Sequence, residues 1–526
     1  MSGQPGFKVL IIYLICIPLA LFLGMQVSDL SWWSEGSIRK VGIVAGVLMI
    51  PIFLKWHRPL LFFTLNASLI LYFAPGKPNI GLVLVAISLL ISVLQRILQP
   101  RSTFLTAPEI ARPMIAVIAV LGFTAILRGG VGFSAFGGSN VGGSRYMLLL
   151  LGALSYFAMT AEGIPEKKRL LYLGLFFLSG VTSVLGDLFY WVSQHVPSLI
   201  YLYLLFPSRA VSTTSEFEFG ETRLLGVTAM AASIYHYMLA RYGVRTLLTD
   251  SNKLKLLVFL GVCVLAFFGG FRSAIIHFAL LFFVMFYLER LYRTGLVIPI
   301  ILAGVLFMTV GVAFLPKMPF VFQRALSFLP VQIAPEAQIS ADSSSEWRRA
   351  MWQSVLPEVP NHLFLGKGLG FTEAEFEAIK DTSLNRNPDQ WTWAVITGDY
   401  HNGILSIILT FGIWGFFAFV WLHIAGWRAL VANFRYGDPA LKVLNAFLLC
   451  KFVVHVFTFW FVSGCMYSDT VIFATLLGFS VCLNAGICRA PQQVLEPLKL
   501  TPPSPQPRAA GPGPKPQHAR VTPTAP

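Results

Sequence analysis

Apolar runs long enough to cross a bilayer recur along almost the whole chain, and they constrain it more than any other feature. A spanning helix needs about 20 apolar residues. Runs of that kind begin near Val9, Val41, Leu60, Ile80, Pro113, Met147, Leu170, Leu224, Leu256, Ala274, Leu296, Gly403, Val443 and Thr470. They number about fourteen, or about twelve if the short second and sixth runs do not cross. Only 12% of the residues are charged, against about 25% in soluble domains, and the mean hydropathy is +0.70. Backbone N–H and C=O groups find no water in hydrocarbon, so the runs must be helical. The chain is therefore read as all-α, a polytopic integral membrane protein with about 12–14 transmembrane helices. The first run follows Lys8 and lacks a small-x-small cleavage site, so it is read as an uncleaved span.

The formal net charge of +15 becomes interpretable once the connections are sorted onto alternate sides. With the N-terminus inside, one set holds about 23 basic and about 7 acidic groups, the other about 15 and about 17. The basic excess marks the cytoplasmic side, and both termini fall there. It is no sign of nucleic acid. One large polar connection, Pro316 to Tyr400, then lies on the extracytoplasmic side, with shorter ones at Arg128 to Tyr146 and Tyr190 to Arg223. Residues 1–221 form an N-terminal set of spans and residues 222–487 a core that includes loop 316–400. Residues 488–526 form a Pro-rich tail that cannot bury enough apolar surface to order itself. Five of the six cysteines lie in or beside apolar runs, so no disulfide framework or zinc site is expected.

Within the large connection, Ser344 and Ser345 precede a segment where Trp347, Met351 and Val355 recur at helical spacing. It is expected to be an amphipathic helix at the membrane surface. A second short helix is expected at Thr372, where Thr372 and Glu375 have capping-box spacing. Four outer groups suit chemistry on a substrate that is part lipid and part water-soluble. Arg272 sits in a turn that leaves almost no room for a loop, holding its guanidinium at the surface. Arg348 shares a helical face with Trp352. His401 opens the span that closes the loop, where an imidazole can accept a proton. Arg223 precedes an earlier span. Each also has a structural reading, as a snorkelling arginine, a solvated charge or a helix-start histidine. Glu216, Glu218 and Glu221 read as a solvated cluster, and Trp391 and Trp393 as sugar platforms or interface anchors. Lys451 and His455, one turn apart inside a span, fit a rival reading of the chain as a lipid-linked oligosaccharide flippase or transporter.

His401-Asn402 followed by Leu405, Leu409, Gly412 and Gly415 resembles the H-N-x-x-L…G-x-x-G segment of the O-antigen ligase and polymerase family. Arg348 to Trp352, followed by LFLGKGLGF from Leu363 to Phe371, is similar to its R-x-x-x-W…P-L-x-G-x-G-x-x-F block. Asn361-His362 stands where that family usually has His-Pro. Arg272-Ser273 resembles its Ser-Arg turn and Arg223 its R-x-x-G segment, so the likeness runs from about Thr222 to Phe416. The resemblance implies a C-type glycosyltransferase fold in a bacterial inner membrane. It also implies transfer of a glycan from an undecaprenyl pyrophosphate carrier to an acceptor hydroxyl, lipid A-core for a ligase or a growing glycan for a polymerase. No cofactor or metal is implied. His401, Arg348 and Arg272 would be catalytic, and Arg272, Arg348, Arg223, Trp352 and Asn402 would bind substrate. Arg209 and Gly220 have a spacing found in some polymerases, which leaves ligase and polymerase unseparated.

Overall fold

The computed structural model describes residues 35–72, 77–98, 104–105, 107–132, 142–196, 199–206, 223–370 and 398–490, with 511 and 513. Among these the chain is helical and contains no strand, only an isolated bridge between Ile70 and Asn79. In order the helices are α1 (Glu35–Thr64), α2 (Ile80–Leu98), α3 (Pro108–Arg128), α4 (Gly143–Thr160), α5 (Arg169–Leu178), α6 (Ser183–Ser193), α7 (Ile200–Leu205), α8 (Leu225–Thr249) and α9 (Lys253–Leu265). They continue with α10 (Arg272–Leu288), α11 (Val297–Phe314), α12 (Phe320–Ala325), α13 (Pro335–Val355), α14 (Val359–His362), α15 (Gly403–Tyr436), α16 (Lys442–Thr458) and α17 (Met466–Leu483). The protein is an all-α, polytopic membrane protein.

Seven described helices are long and apolar enough to cross a membrane, or up to eight if the bent pair α8 and α9 is one span. That pair bends by 117°, and the Leu224 N–H reaches back to the Phe268 carbonyl at 3.1 Å, so it folds as a hairpin. The longer list of apolar runs divides differently for physical reasons. The Val9 run lies outside the described residues. The Val41 and Leu60 runs share α1, which is kinked at Trp56. Past Thr64 the second of them leaves the helix, because Asn66 donates to the Phe176 carbonyl (2.8 Å) and Ser68 N–H to Thr182 Oγ1 (3.0 Å). Irregular backbone is tolerated at depth where protein supplies the partners. Helix α11 has no buried residue, as expected of a helix that is apolar all round and surrounded by lipid.

The alternation of connections is visible as two separated ends. At one end Arg58 pairs with Glu162 (2.6 Å) and Arg169 with Asp438 (2.9 Å), joining connections from the basic set. Asn445 and Asn484 exchange amide hydrogen bonds there at 2.9 Å. Such interhelical bonds contribute about 0.6–2 kcal/mol each, since lipid removes the hydrophobic drive for helices to associate. At the other end Gly130 packs on Gly370 and Gly403 on Gly464 with no room for a side chain.

Helix α15 is broken at Gly412 (φ 68°, ψ −163°), which frees backbone groups where unpaired ones are costly. Residues from the large connection satisfy them. Lys367 N–H donates to the Leu409 carbonyl (2.8 Å), Gly368 N–H to Thr410 (3.0 Å), and Ile413 N–H to the Leu363 carbonyl (2.7 Å). A Cβ on Gly412 would collide with the Phe364 carbonyl, and one on Gly366 (φ 63°) with that of Thr410. The segment from Leu363 to Gly368 is thus a stitch across a broken helix. Gly412→Ala should cost about 1–2 kcal/mol from the left-handed backbone alone, with the collision added, and thermal unfolding in detergent micelles should show it.

Candidate active site

Beside the polar connection lies a tight turn, Gly269 to Phe271, between α9 and α10, and two buried arginines hold it. Arg223 donates from Nε (2.9 Å) and Nη2 (2.7 Å) to the Gly269 carbonyl, with its guanidinium 4.2 Å from the Phe271 ring centre. Arg324 of α12 donates from Nη1 to the Gly270 carbonyl (2.6 Å) and from Nε to Ser340 Oγ (2.9 Å). Both guanidiniums are committed to structure, and desolvation by burial lowers both pKa values, to about 9 for Arg223 and about 10 for Arg324. Neighbouring arginines push the same way: Arg324 acts on Arg223, and Arg272 and Arg348 act on Arg324.

Arg272 leaves the turn as the first residue of α10 and reaches across to α13. Its Nη2 donates to the Ala341 carbonyl (2.8 Å) and to Ser345 Oγ (2.9 Å). Residues 341, 345 and 348 share a helix face, so Arg348 stands beside the group that receives Arg272. Desolvation by burial, and then Arg272, lower the Arg348 pKa, while Asp399 raises it. Among the described residues Arg348 has no hydrogen-bond or ion-pair partner. Cations gathered with so little compensation form a site prepared for an anion.

Helix α13 starts at Pro335, nine residues before the Ser344 start expected from sequence, because the arginines bind its polar first half. Its apolar stripe, expected at the membrane surface, is instead covered by protein. Met351 and Val355 are fully buried against Tyr400, Leu405 and Leu409, and Trp352 Nε1 donates to the Tyr400 carbonyl (2.8 Å). That contact carries residues 398–402 over the arginines.

His401 itself has φ +48°, a left-handed conformation that is uncommon for a side chain with a Cβ and often marks function. It is held between two fixed groups. Asn402 caps α15, its side-chain oxygen accepting from Leu405 N–H (3.1 Å), which leaves only its amide N–H groups for a ligand. On the other side the Trp347 ring lies 5.4 Å from the imidazole. Asp399 Oδ1, buried and without a hydrogen bond, faces His401 Nδ1 at 4.0 Å. Burial lowers the His401 pKa and Arg348 lowers it further, with Asp399 opposing. The imidazole is therefore neutral at neutral pH and able to accept a proton.

Residues 256–420 match the O-antigen ligase family. The match takes in Arg272, Arg324, Arg348 and His401, and supports a membrane glycan enzyme of ligase or polymerase type. It begins after Arg223, so the likeness read from Thr222 onward is longer than the matched region. No curated protein matches the chain.

Arg272, Arg348, Trp352, His401 and Asn402 come together, with Arg223 behind the turn. Sequence reasoning passed over Arg324 and Asp399 and read Trp347 only as part of the apolar stripe of α13. A lone arginine within the apolar stretch FVFQRALSF was the available signal for Arg324, the same one that marked Arg272. Glu216, Glu218, Glu221, Arg209, Gly220, Thr372, Trp391 and Trp393 lie outside the described residues. Among the described residues no three His, Cys, Asp or Glu side chains gather as metal ligands. Arg324→Lys, which cannot keep both bonds of the fork, should lower stability by about 2 kcal/mol, measurable by thermal unfolding of the purified protein.

Proposed function

We propose that the protein is a membrane glycosyltransferase that moves a glycan from an undecaprenyl pyrophosphate carrier to an acceptor hydroxyl at the extracytoplasmic face of a bacterial inner membrane. The observation that carries this reading is the approach of Arg272, Arg348 and His401 at one end of the bundle. As the glycosidic bond breaks, the departing diphosphate gains negative charge. Arg272 and Arg348 meet it with planar donors already in place. His401 takes the proton of the attacking hydroxyl, and Asp399 stabilises the imidazolium that results. Arg223 and Arg324 are positioning residues that hold the turn from which Arg272 projects. In this scheme fixed guanidiniums do the work that a divalent ion does elsewhere, so chelators leave transfer unchanged.

The family's description as O-antigen ligase favours a lipid A-core acceptor over a growing glycan. Residues 222–487 form the transferase core, and both termini are cytoplasmic, in keeping with the basic surplus on that side. Ser343 is exposed on α13, so Ser343→Cys should react with a membrane-impermeant maleimide added outside intact spheroplasts. Labelling only after lysis would reverse the orientation.

Replacing Arg272 or Arg348 with Ala should slow transfer about 100-fold or more, and normal transfer in isolated membranes would overturn the clamp. The pH profile follows from the sign of the His401 shift. Its neutral form is the active one and its pKa is lowered, so transfer should hold through the ordinary imidazole range as pH falls and decline only below it. His401→Gln should remove that acid limb along with most of the rate.

A further inference from the structure

The bundle interior below the arginines contains five titratable side chains that the proposed transfer does not use. His236 lies on α8, His277 on α10, Lys451 and His455 on α16 one turn apart, and Asp469 on α17. Lys451 Nζ is 3.2 Å from His236 Nε2, and the rings of His236 and His277 meet edge to face at 5.9 Å. His455 Nε2 is 3.0 Å from Asp469 Oδ1, too oblique for a hydrogen bond. His236 and His277 both lie within electrostatic reach of Lys451 and His455, so the two pairs form one cluster. The helix packed on the remaining side, α15, brings His423, whose Nδ1 accepts from Trp460 (3.3 Å) and whose ring faces His455 across Phe473. Beyond the outer turn, Asp399 lies within electrostatic reach of Cys465, and Arg145 of α4 and Asp399 both lie within reach of Tyr467 on α17.

The depth of Lys451 excludes a snorkelling side chain. It is about 14 Å along α16 at 1.5 Å per residue, and its ammonium turns inward to His236. An ionisable group at that depth is costly and marks function. The cluster meets the cost by neutrality, since Lys451 offers one positive charge and Asp469 one negative. The proton that makes the positive charge can sit on Lys451, on an imidazole, or on the Asp469 carboxylate, and the net charge is zero in every case. Each form differs from the others only in where one proton lies, and none needs an outside co-reactant.

We infer that Lys451, His236, His277, His455 and Asp469 form a single proton-binding site within the membrane, which shares one proton between a deep end at Lys451 and an outer end at Asp469. The outer end adjoins the candidate active site. Asp469 Oδ2 accepts the Cys465 N–H (2.7 Å) and caps α17. The Gly464–Cys465 turn packs backbone to backbone on Gly403, directly after His401 and Asn402. A carboxylate accepts more strongly than a carboxylic acid, so the proton's arrival on Asp469 loosens the turn supporting His401. Between His455 and that turn the chain forms a π-helix, Phe459–Ser463, a distortion frequent at functional sites. Asp469 is thereby a positioning residue.

Infrared difference spectra of the full-length protein in nanodiscs, taken across an acid titration, test the site without any assay of activity. Wild type should give a buried carboxylic-acid C=O band that Asp469→Asn abolishes, and Lys451→Met should move its midpoint by about one pH unit or more. A band that survives Asp469→Asn, or a midpoint unmoved by Lys451→Met, overturns the proton site. Should a single variant fail to fold, the Lys451→Met/Asp469→Asn pair removes both charges and keeps an acceptor for the Cys465 N–H. Wild-type spectra from that pair overturn the site equally. The link to rate alone rests on the proposed transfer. Asp469→Asn should lower kcat about tenfold with donor KM unchanged and leave the acid limb of His401 as the pH dependence that remains, whereas an unaltered kcat and pH profile would leave the cluster uncoupled from the active site and refute that link.

Discussion

Backbone N–H and C=O groups inside a bilayer must find partners within the protein, and the arrangement of this structure depends on how that demand is met at Gly412. A helix interrupted there exposes carbonyls at Leu409 and Thr410 and an N–H at Ile413, and the large polar connection closes all three. One set of hydrogen bonds therefore satisfies the span and fastens the loop to it. Leu369 N–H continues the seam by donating to the phenolic oxygen of Tyr146 at 3.0 Å, and Gly370 lies against Gly130. A loop secured at that many points can hold His401 in a left-handed conformation that a loose loop would relax.

Two groups of ionisable residues in the bundle obey opposite rules. Arginines 223, 272, 324 and 348 crowd together, with Asp399 acting on Arg348, and burial lowers the pKa of three of them. Such an arrangement costs stability and is relieved by an incoming anion. Deeper down, Lys451 and the histidines are matched by Asp469, which is what a site without an anionic ligand needs in hydrocarbon. The first group is left uncompensated within the protein, whereas the second holds its own charge.

Much of the architecture was legible because lipid imposes few solutions. Apolar runs of spanning length implied helices, and connections that the charge count put on one side do meet, Arg58 with Glu162 and Arg169 with Asp438. Arg272 and His401 stood out as polar groups at apolar borders and Arg348 by sharing a helix face with Trp352, all of them local properties. Arg324 carried the same local mark and was passed over. Asp399 stands only two residues before His401, yet its burial and its approach to the imidazole follow from the turn of the backbone there and carried no mark of their own.

The amino-acid order by itself determined that the protein is helical and membrane-spanning and which residues border its polar end, since burial in lipid and helical periodicity act over one turn or one span. Tertiary structure alone decided that the Leu60 run leaves its helix after Thr64, that α13 begins at Pro335, and that Arg223 is committed to a backbone carbonyl while Arg348 keeps no polar partner among the described residues. It also decided that Lys451 turns inward to His236. In each case the deciding partner lies tens to hundreds of residues away, and a hydrogen bond to a distant carbonyl or ring nitrogen outweighs the weak preference of the local segment.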